Sequence, residues 1–191
     1  MKEPSNRLRP EPAESSLDRI DFEILEALQN DARLSNKALA AQVGLAPSSC
    51  LLRVRALVER GVVAGVHAEV APEALGIGVQ ALIAVRLVQT SRDAFRALRA
   101  YVSTLPEVLA VFHVSGAADL QLHVAVRDVG HLRDLICDRI ATCKEIDRCE
   151  SSIIYSYARN PRLPRYVEAP ARRRPARRPR RRARGRGARA A

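Results

Sequence analysis

The stretch SNKALAAQVGLAPSSCLLRVRALVERG, residues 35–61, restricts the possible folds more than any other, because two helical patterns stand only three residues apart. Ser35 is a good N-cap, and Leu39, Ala40 and Val43 recur at helical spacing before Gly44, which tolerates the left-handed backbone that ends a helix. Pro47 suits the first position of the next helix, since its fixed φ fits and its missing N–H would have had no partner there. At about 100° per residue, Cys50, Val54, Leu57 and Val58 share one face of that helix and are expected to pack inward before Gly61 ends it. Ser48, Leu52, Arg55 and Glu59 lie opposite, with Ser49 and Ala56 alongside and Arg53 near the boundary. Two helices joined by the turn Gly44-Leu45-Ala46 make a helix-turn-helix unit, whose second helix enters the DNA major groove by its N-terminal end. Small Ser48 and Ser49 permit close approach and can bond phosphates or base edges, while Arg55 can meet a phosphate or a guanine. The candidate DNA contacts are Ser35, Asn36, Pro47, Ser48, Ser49, Leu52, Arg53 and Arg55. Arg53 has an equal second reading, as partner of an acid on the preceding helix.

That preceding helix starts at Asp18. Ile20, Ile24, Ala27 and Leu28 form its apolar stripe with Leu25 at the edge, and Asp21 in the first turn complements the helix dipole. After Gly61 the sequence VVAGVHAEV reads as a short β-ribbon, so the expected domain, residues 17–72, is a winged helix-turn-helix. A linker over 73–78 follows, then a second pattern. QALIAVRLV (80–88) alternates as a strand, and Ser91 caps a helix burying Ala94, Phe95, Leu98 and Val102. VLAVFHV (108–114) and LQLHVAV (120–126) are strands around a Ser-Gly-Ala-Ala-Asp hairpin. Asp128 opens a helix burying Val129, Leu132, Leu135, Ile136 and Ile140, and a last strand runs through RCESSIIYSYA (148–158). The order βαββαβ predicts a ferredoxin-like α+β domain over 79–159, with both helices on one face of an antiparallel sheet. Its open face, read as alanines and valines without charge, predicts pairing with a second copy. RNA-recognition modules share this topology but stack bases on third-strand aromatics, which LQLHVAV lacks.

The formal net charge is +11, and residues 171–191 hold eleven arginines and no acid, so the basicity resides in a tail. Arginine, proline, glycine and alanine without periodicity cannot bury enough surface to offset chain entropy, so 160–191 is expected to be disordered, as is a flexible arm over 1–16. A tail of this kind adds nonspecific affinity for a polyanion, DNA before an anionic membrane. The apolar charge-free run ALGIGVQALIAV is too short to cross a bilayer, and no apolar segment follows the N-terminus, so the expected location is cytoplasmic and nucleoid-associated. Cys50, Cys137, Cys143 and Cys149 form no C-x-x-C pair and match no common zinc spacing, so reduced thiols and no metal are expected. His67, His113, His123 and His131 are scattered, with no nucleophile motif and no phosphate-cradling loop beside them, so no enzyme activity is expected; His113 and His123 could be cross-strand neighbours.

Residues 17–76 carry L-D-x-x-D-x-x-I-L, then L-S-x-x-x-L-A-x-x-V-G-L, then C-L-x-R-V-x-x-L, in that order. This series closely resembles the N-terminal domain of the leucine-responsive and asparagine regulator (Lrp/AsnC) family of prokaryotic transcription factors. The resemblance implies a C-terminal RAM-type (ACT-like) domain that dimerises, assembles further, up to an octamer, and binds an amino acid or similar small metabolite between dimers. VSGAADLQL (114–122) resembles the family's V-S-G-x-x-D-x-x-L hairpin. Gly116 would offer an unhindered N–H to a carboxylate and Asp119 would accept from an ammonium, which together suit a zwitterion. The candidate effector residues are Ser115, Gly116, Asp119 and, on the last strand, Ser151; no other cofactor is implied. Two departures stand out, Ala46 where the family often caps the recognition helix with Ser or Thr, and Ala118 where a tyrosine is frequent. The expected function is an oligomeric, sequence-specific regulator binding double-stranded DNA. The alternative is an architectural nucleoid protein in which tail and oligomerisation dominate and no effector matters.

Overall fold

A computed structural model describes residues 17–167, which divide into two compact units: 17–65 together with 161–167, and 66–160. The expected N-terminal arm and residues 168–191 of the expected disordered tail lie outside the described residues, whereas 160–167 are described.

The first unit is built from α1 (Arg19–Asn30), α2 (Asn36–Gln42) and α3 (Pro47–Glu59). Ile24, Leu39, Ala40, Val43, Cys50 and Leu57 form its buried core, with Ile20, Leu28, Leu45 and Val54 packed around them. Each helix end follows from a local residue. Asp18 and Asp21 form a reciprocal capping box at the start of α1, satisfying two otherwise orphaned N–H groups. Ser35 accepts from the Ala38 N–H at 3.2 Å. Gly44 has φ +66°, and the Leu45 N–H turns back to the Ala40 carbonyl at 2.9 Å, which closes α2 in a Schellman turn. Val58 is 52% exposed rather than inward. It sits one position beyond Leu57, where the helical turn has already carried the side chain off the buried stripe.

The expected ribbon over 62–70 is absent as a strand pair: this segment has no strand hydrogen bonding, although the Val62 and Val63 N–H groups both return to the Leu57 carbonyl. Val62, Val66 and Val70 are exposed. A two-stranded ribbon with no apolar face to bury has little to hold it.

The second unit runs β1 (Val79–Leu87), α4 (Arg92–Val102), β2 (Val108–His113), β3 (Leu120–Val126), α5 (Val129–Asp134) and β4 (Ile146–Ile153). The sheet order is β2-β3-β1-β4, antiparallel throughout, which is the ferredoxin-like α+β arrangement expected from βαββαβ. Alternate residues Ala81, Ile83, Val85 and Leu87 of β1 and Leu120, Leu122, Val124 and Val126 of β3 share one core with Leu98 and Val102 of α4 and Leu132, Leu135 and Ile140. Both helices therefore cover the same face. The second helix is not uniform: α5 widens into a π-helical stretch over Leu135–Ile140, and Val129, expected inside, is 58% exposed.

The opposite face carries Gln80, Leu82, Ala84 and Arg86 of β1, with Arg86 beside Arg148 and Ala84 beside Glu150 in register on β4. The expectation of an uncharged open face is thus corrected. Its apolar part is confined to one side, where Leu82, Phe112, Gln121, His123, Ile154 and Tyr157 line a shallow hollow of about 450 Å³.

Candidate nucleic-acid interface and ligand cleft

The start of α3 is the exposed end of the helix-turn-helix. Pro47, Ser48, Ser49, Leu52 and Arg55 are all exposed, Leu52 at 65%, while Cys50 and Leu57 behind them are fully buried. Leu52 is thus a large apolar side chain exposed beside the two serines, on the face expected to be polar. Ala46 provides no side-chain cap, so the first-turn N–H groups of α3 are open to an acceptor such as a phosphate oxygen.

Three of the candidates hold the scaffold. Ser35 caps α2, and the Asn36 side-chain amide donates to the Pro47 carbonyl at 2.8 Å, latching the start of α2 to the start of α3. Arg53 follows its second reading: Nη1 lies 2.7 Å from Asp21 Oδ1 and 2.8 Å from Asp18 Oδ2. The guanidinium thus closes the capping box of α1 from α3. Burial pushes the Asp18 carboxyl up, but the Asp21 N–H and Arg53 together outweigh it and hold it below its ordinary 3.8. The hydrogen bond to Asp21 in turn raises Arg53 above its ordinary value. Three side chains, Asp18, Asp21 and Arg53, therefore tie the recognition helix to the start of α1.

In the second unit, Asp119 is a brace. Its Oδ2 accepts from the Leu87 N–H at 2.9 Å and its Oδ1 from the Thr90 hydroxyl at 3.1 Å, while its own N–H donates to the Val85 carbonyl. The β2–β3 hairpin is tied in this way to the end of β1, with Gly116 at φ +128° making the bend. Asp119 alone of the four effector candidates lines the adjoining cleft of about 440 Å³, with Thr90, Arg92, Arg96, Arg99 and His113. Ser151 lies across β1, opposite Ile83 on β4. Arg99 stands 5.9 Å over the Phe95 ring, and His113 packs on the same ring at 4.3 Å between centroids. The two central histidines are not cross-strand partners: His113 faces Leu120, and His123 faces Ala110.

The three arginines escaped sequence reasoning. Positions 92, 96 and 99 repeat at helical spacing directly after the Ser91 cap, a stripe flanking the buried one and legible in principle. The cleft offers guanidinium groups to carboxylate oxygens, one carboxylate, and an aromatic floor. Among the described residues no cluster of His, Cys, Asp and Glu could hold a metal, and no helix is long and apolar enough to cross a membrane.

Comparison with known proteins follows the same two units. Residues 17–64 match the winged helix-turn-helix DNA-binding family, and residues 80–162 the Lrp/AsnC ligand binding domain. The HTH-type transcriptional regulator AldR of Mycolicibacterium smegmatis is 41% identical over 143 residues, spanning 75% of this chain and 84% of that protein. The leucine-responsive regulatory protein of Haemophilus influenzae is 36% identical over 121 residues, 63% of this chain and 73% of that one. Among solved structures, a transcriptional regulator of Neisseria meningitidis in complex with L-Met superimposes with a TM-score of 0.70 at 31% identity, covering 76% of this chain and 94% of the other. With both halves matched in order over three quarters of its length, the chain belongs to the Lrp/AsnC family of DNA-binding transcriptional regulators.

Proposed function

We propose that this regulator reads double-stranded DNA sequence-specifically with the exposed start of α3, and that a small metabolite with a carboxylate, an amino acid being the best fit, modulates it from the arginine-lined cleft. The observation that carries the first half is the exposure of Ser48, Ser49, Leu52 and Arg55 on a helix whose other face is sealed in the core. In this reading the serines and Arg55 meet bases and phosphates, Leu52 meets a thymine methyl, and Arg53 positions the helix. The second half rests on Arg92, Arg96 and Asp119 lining one cleft, and on the family's ligand binding domain. Asp119 acts through the hairpin it braces, with lone pairs left over for an ammonium.

Oligomerisation completes the reading. The hollow around Leu82, Phe112 and Ile154, with Phe112 half exposed, is the surface on which two copies would pair. Binding only DNA and a metabolite, the protein acts without catalysis, and its place is with the chromosome. The expected tail adds nonspecific affinity through its eleven arginines.

The test is binding to DNA from upstream of the chain's own gene and to random DNA of equal length, across a salt series. A preference for the upstream fragment that disappears in the triple variant Ser48→Ala, Ser49→Ala, Arg55→Ala establishes sequence reading. Equal affinity for both, lost when residues 161–191 are removed, establishes the architectural alternative instead.

A further inference from the structure

Phe22 is the only aromatic residue between positions 17 and 65. It is half-buried on α1, yet it is no part of the apolar core of its unit. What covers it comes from the far end of the chain: the Arg165 guanidinium lies 4.7 Å above the Phe22 ring centroid. Two turns along the same face of α1, the Gln29 side-chain oxygen accepts from the Leu163 N–H at 2.7 Å. Residues seven apart on a helix are about 10.5 Å apart along its axis, and the two contacting strap residues are two apart in an extended chain, so segment 161–167 runs antiparallel to the helix.

Local chemistry favours this contact. Pro161 and Pro164 stiffen the segment and reduce the entropy lost on docking. Its arginines, 162 and 165, are opposite in charge to Glu23 and Glu26 of that helix. The ring quadrupole supplies an attraction that no purely charged pairing would.

We propose that residues 161–167 are a strap whose seat is the Phe22–Gln29 face of α1, and that the strap roots the arginine tail on the DNA-reading unit rather than on the ligand-binding one. This rests on the reading of the tail as a phosphate binder. Helix α1 is the helix whose capping box Arg53 of α3 completes, so a tail rooted there starts from a body fixed to the recognition helix. The 24 residues after Val167 span at most roughly 80 Å when extended. They therefore reach phosphates flanking the groove that α3 enters. The partner is the DNA backbone beside the site, and the gain is a higher effective concentration of arginine at that backbone.

The chain contains no tryptophan, so Phe22→Trp gives a single reporter at the seat. Acrylamide quenching of that indole is expected to rise about twofold when the full chain is cut after Asn160, and to stay unchanged when it is cut after Val167. Equal quenching in all three forms overturns the strap. For the role, Phe22→Leu, which changes no charge, is expected to weaken binding of the full chain to random DNA roughly three- to tenfold, with the slope of log K against log salt unchanged. Arg165→Ala on the exposed strap should give a similar loss without touching the helix. Random-DNA affinity that survives both substitutions overturns the rooting. Affinity that survives deletion of 168–191 overturns the tail reading itself, and with it this role, whatever the indole reports.

Discussion

Arg53 shows how a single side chain decides whether α3 is held in a DNA-reading position. Of its two carboxylate partners, Asp21 is buried, only 8% exposed, while the Asp18 side chain keeps 44% of its surface in water. Arg53→Ala should therefore destabilise the helix-turn-helix unit by about 1–3 kcal/mol, because it leaves the buried Asp21 carboxylate uncompensated, the half-exposed Asp18 adding little; chemical denaturation of the variant checks this. The same cluster sets an acid limit. Asp18 titrates below its ordinary 3.8 in the fold, so the stability it contributes is complete above that value and is lost as pH falls through the lower folded value. His123 is held below its ordinary 6.5 for a different reason, burial, which disfavours the charged imidazolium. The unfolded chain takes up that proton first, so stability should decline as pH drops beneath about 6.5, and thermal melts of His123→Gln between pH 7 and 5 should lack this part of the decline.

Helix α3 is the element where a small change would be most revealing. Its N-cap, Ala46, already has an extended backbone at φ −66° and ψ 143° but offers no side-chain acceptor. Ala46→Ser should add about 1 kcal/mol of stability, seen as a rise in the melting temperature of the unit. If open first-turn N–H groups bind phosphate, it should also weaken DNA binding, because the serine oxygen occupies a donor the phosphate would use. Much at this scale was legible. Asp18, Ser35, Pro47, Gly44 and Gly61 marked helix ends, and period-2 alternation marked β1 and β3, because caps and burial patterns act within one element. The 62–70 ribbon misled because its valines mimic a strand, while strand formation depends on a partner that local sequence does not name.

For the whole molecule, the open sheet face and the tail carry separate predictions. Phe112→Glu places a charge in the apolar hollow beside Leu82 and Ile154 and should lower the mass measured by light scattering, if copies pair through this face. Arg96→Glu, in the lining of the arginine cleft, should abolish any amino-acid-induced rise in melting temperature while leaving the apo melting temperature within about 1 °C, as expected of an exposed surface position. Neither variant should alter affinity for random DNA more than severalfold, since that term depends on phosphate contacts made elsewhere.

By itself the sequence determined the order of the elements, the helix-turn-helix with its exposed serines, the βαββαβ topology and the family, since each depends on spacing within a segment or on a motif read in line. Only the tertiary structure decided which side chains meet across segments. It assigned Arg53 to the capping box and Asn36 to a latch, made Asp119 a brace, gathered Arg92, Arg96 and Arg99 beside it, and brought Arg165 back over Phe22, 143 positions earlier in the chain. The physical reason is that caps and periodicity are local, whereas an ion pair or a ring contact depends on two backbones being brought within a few ångströms by the burial of everything between them.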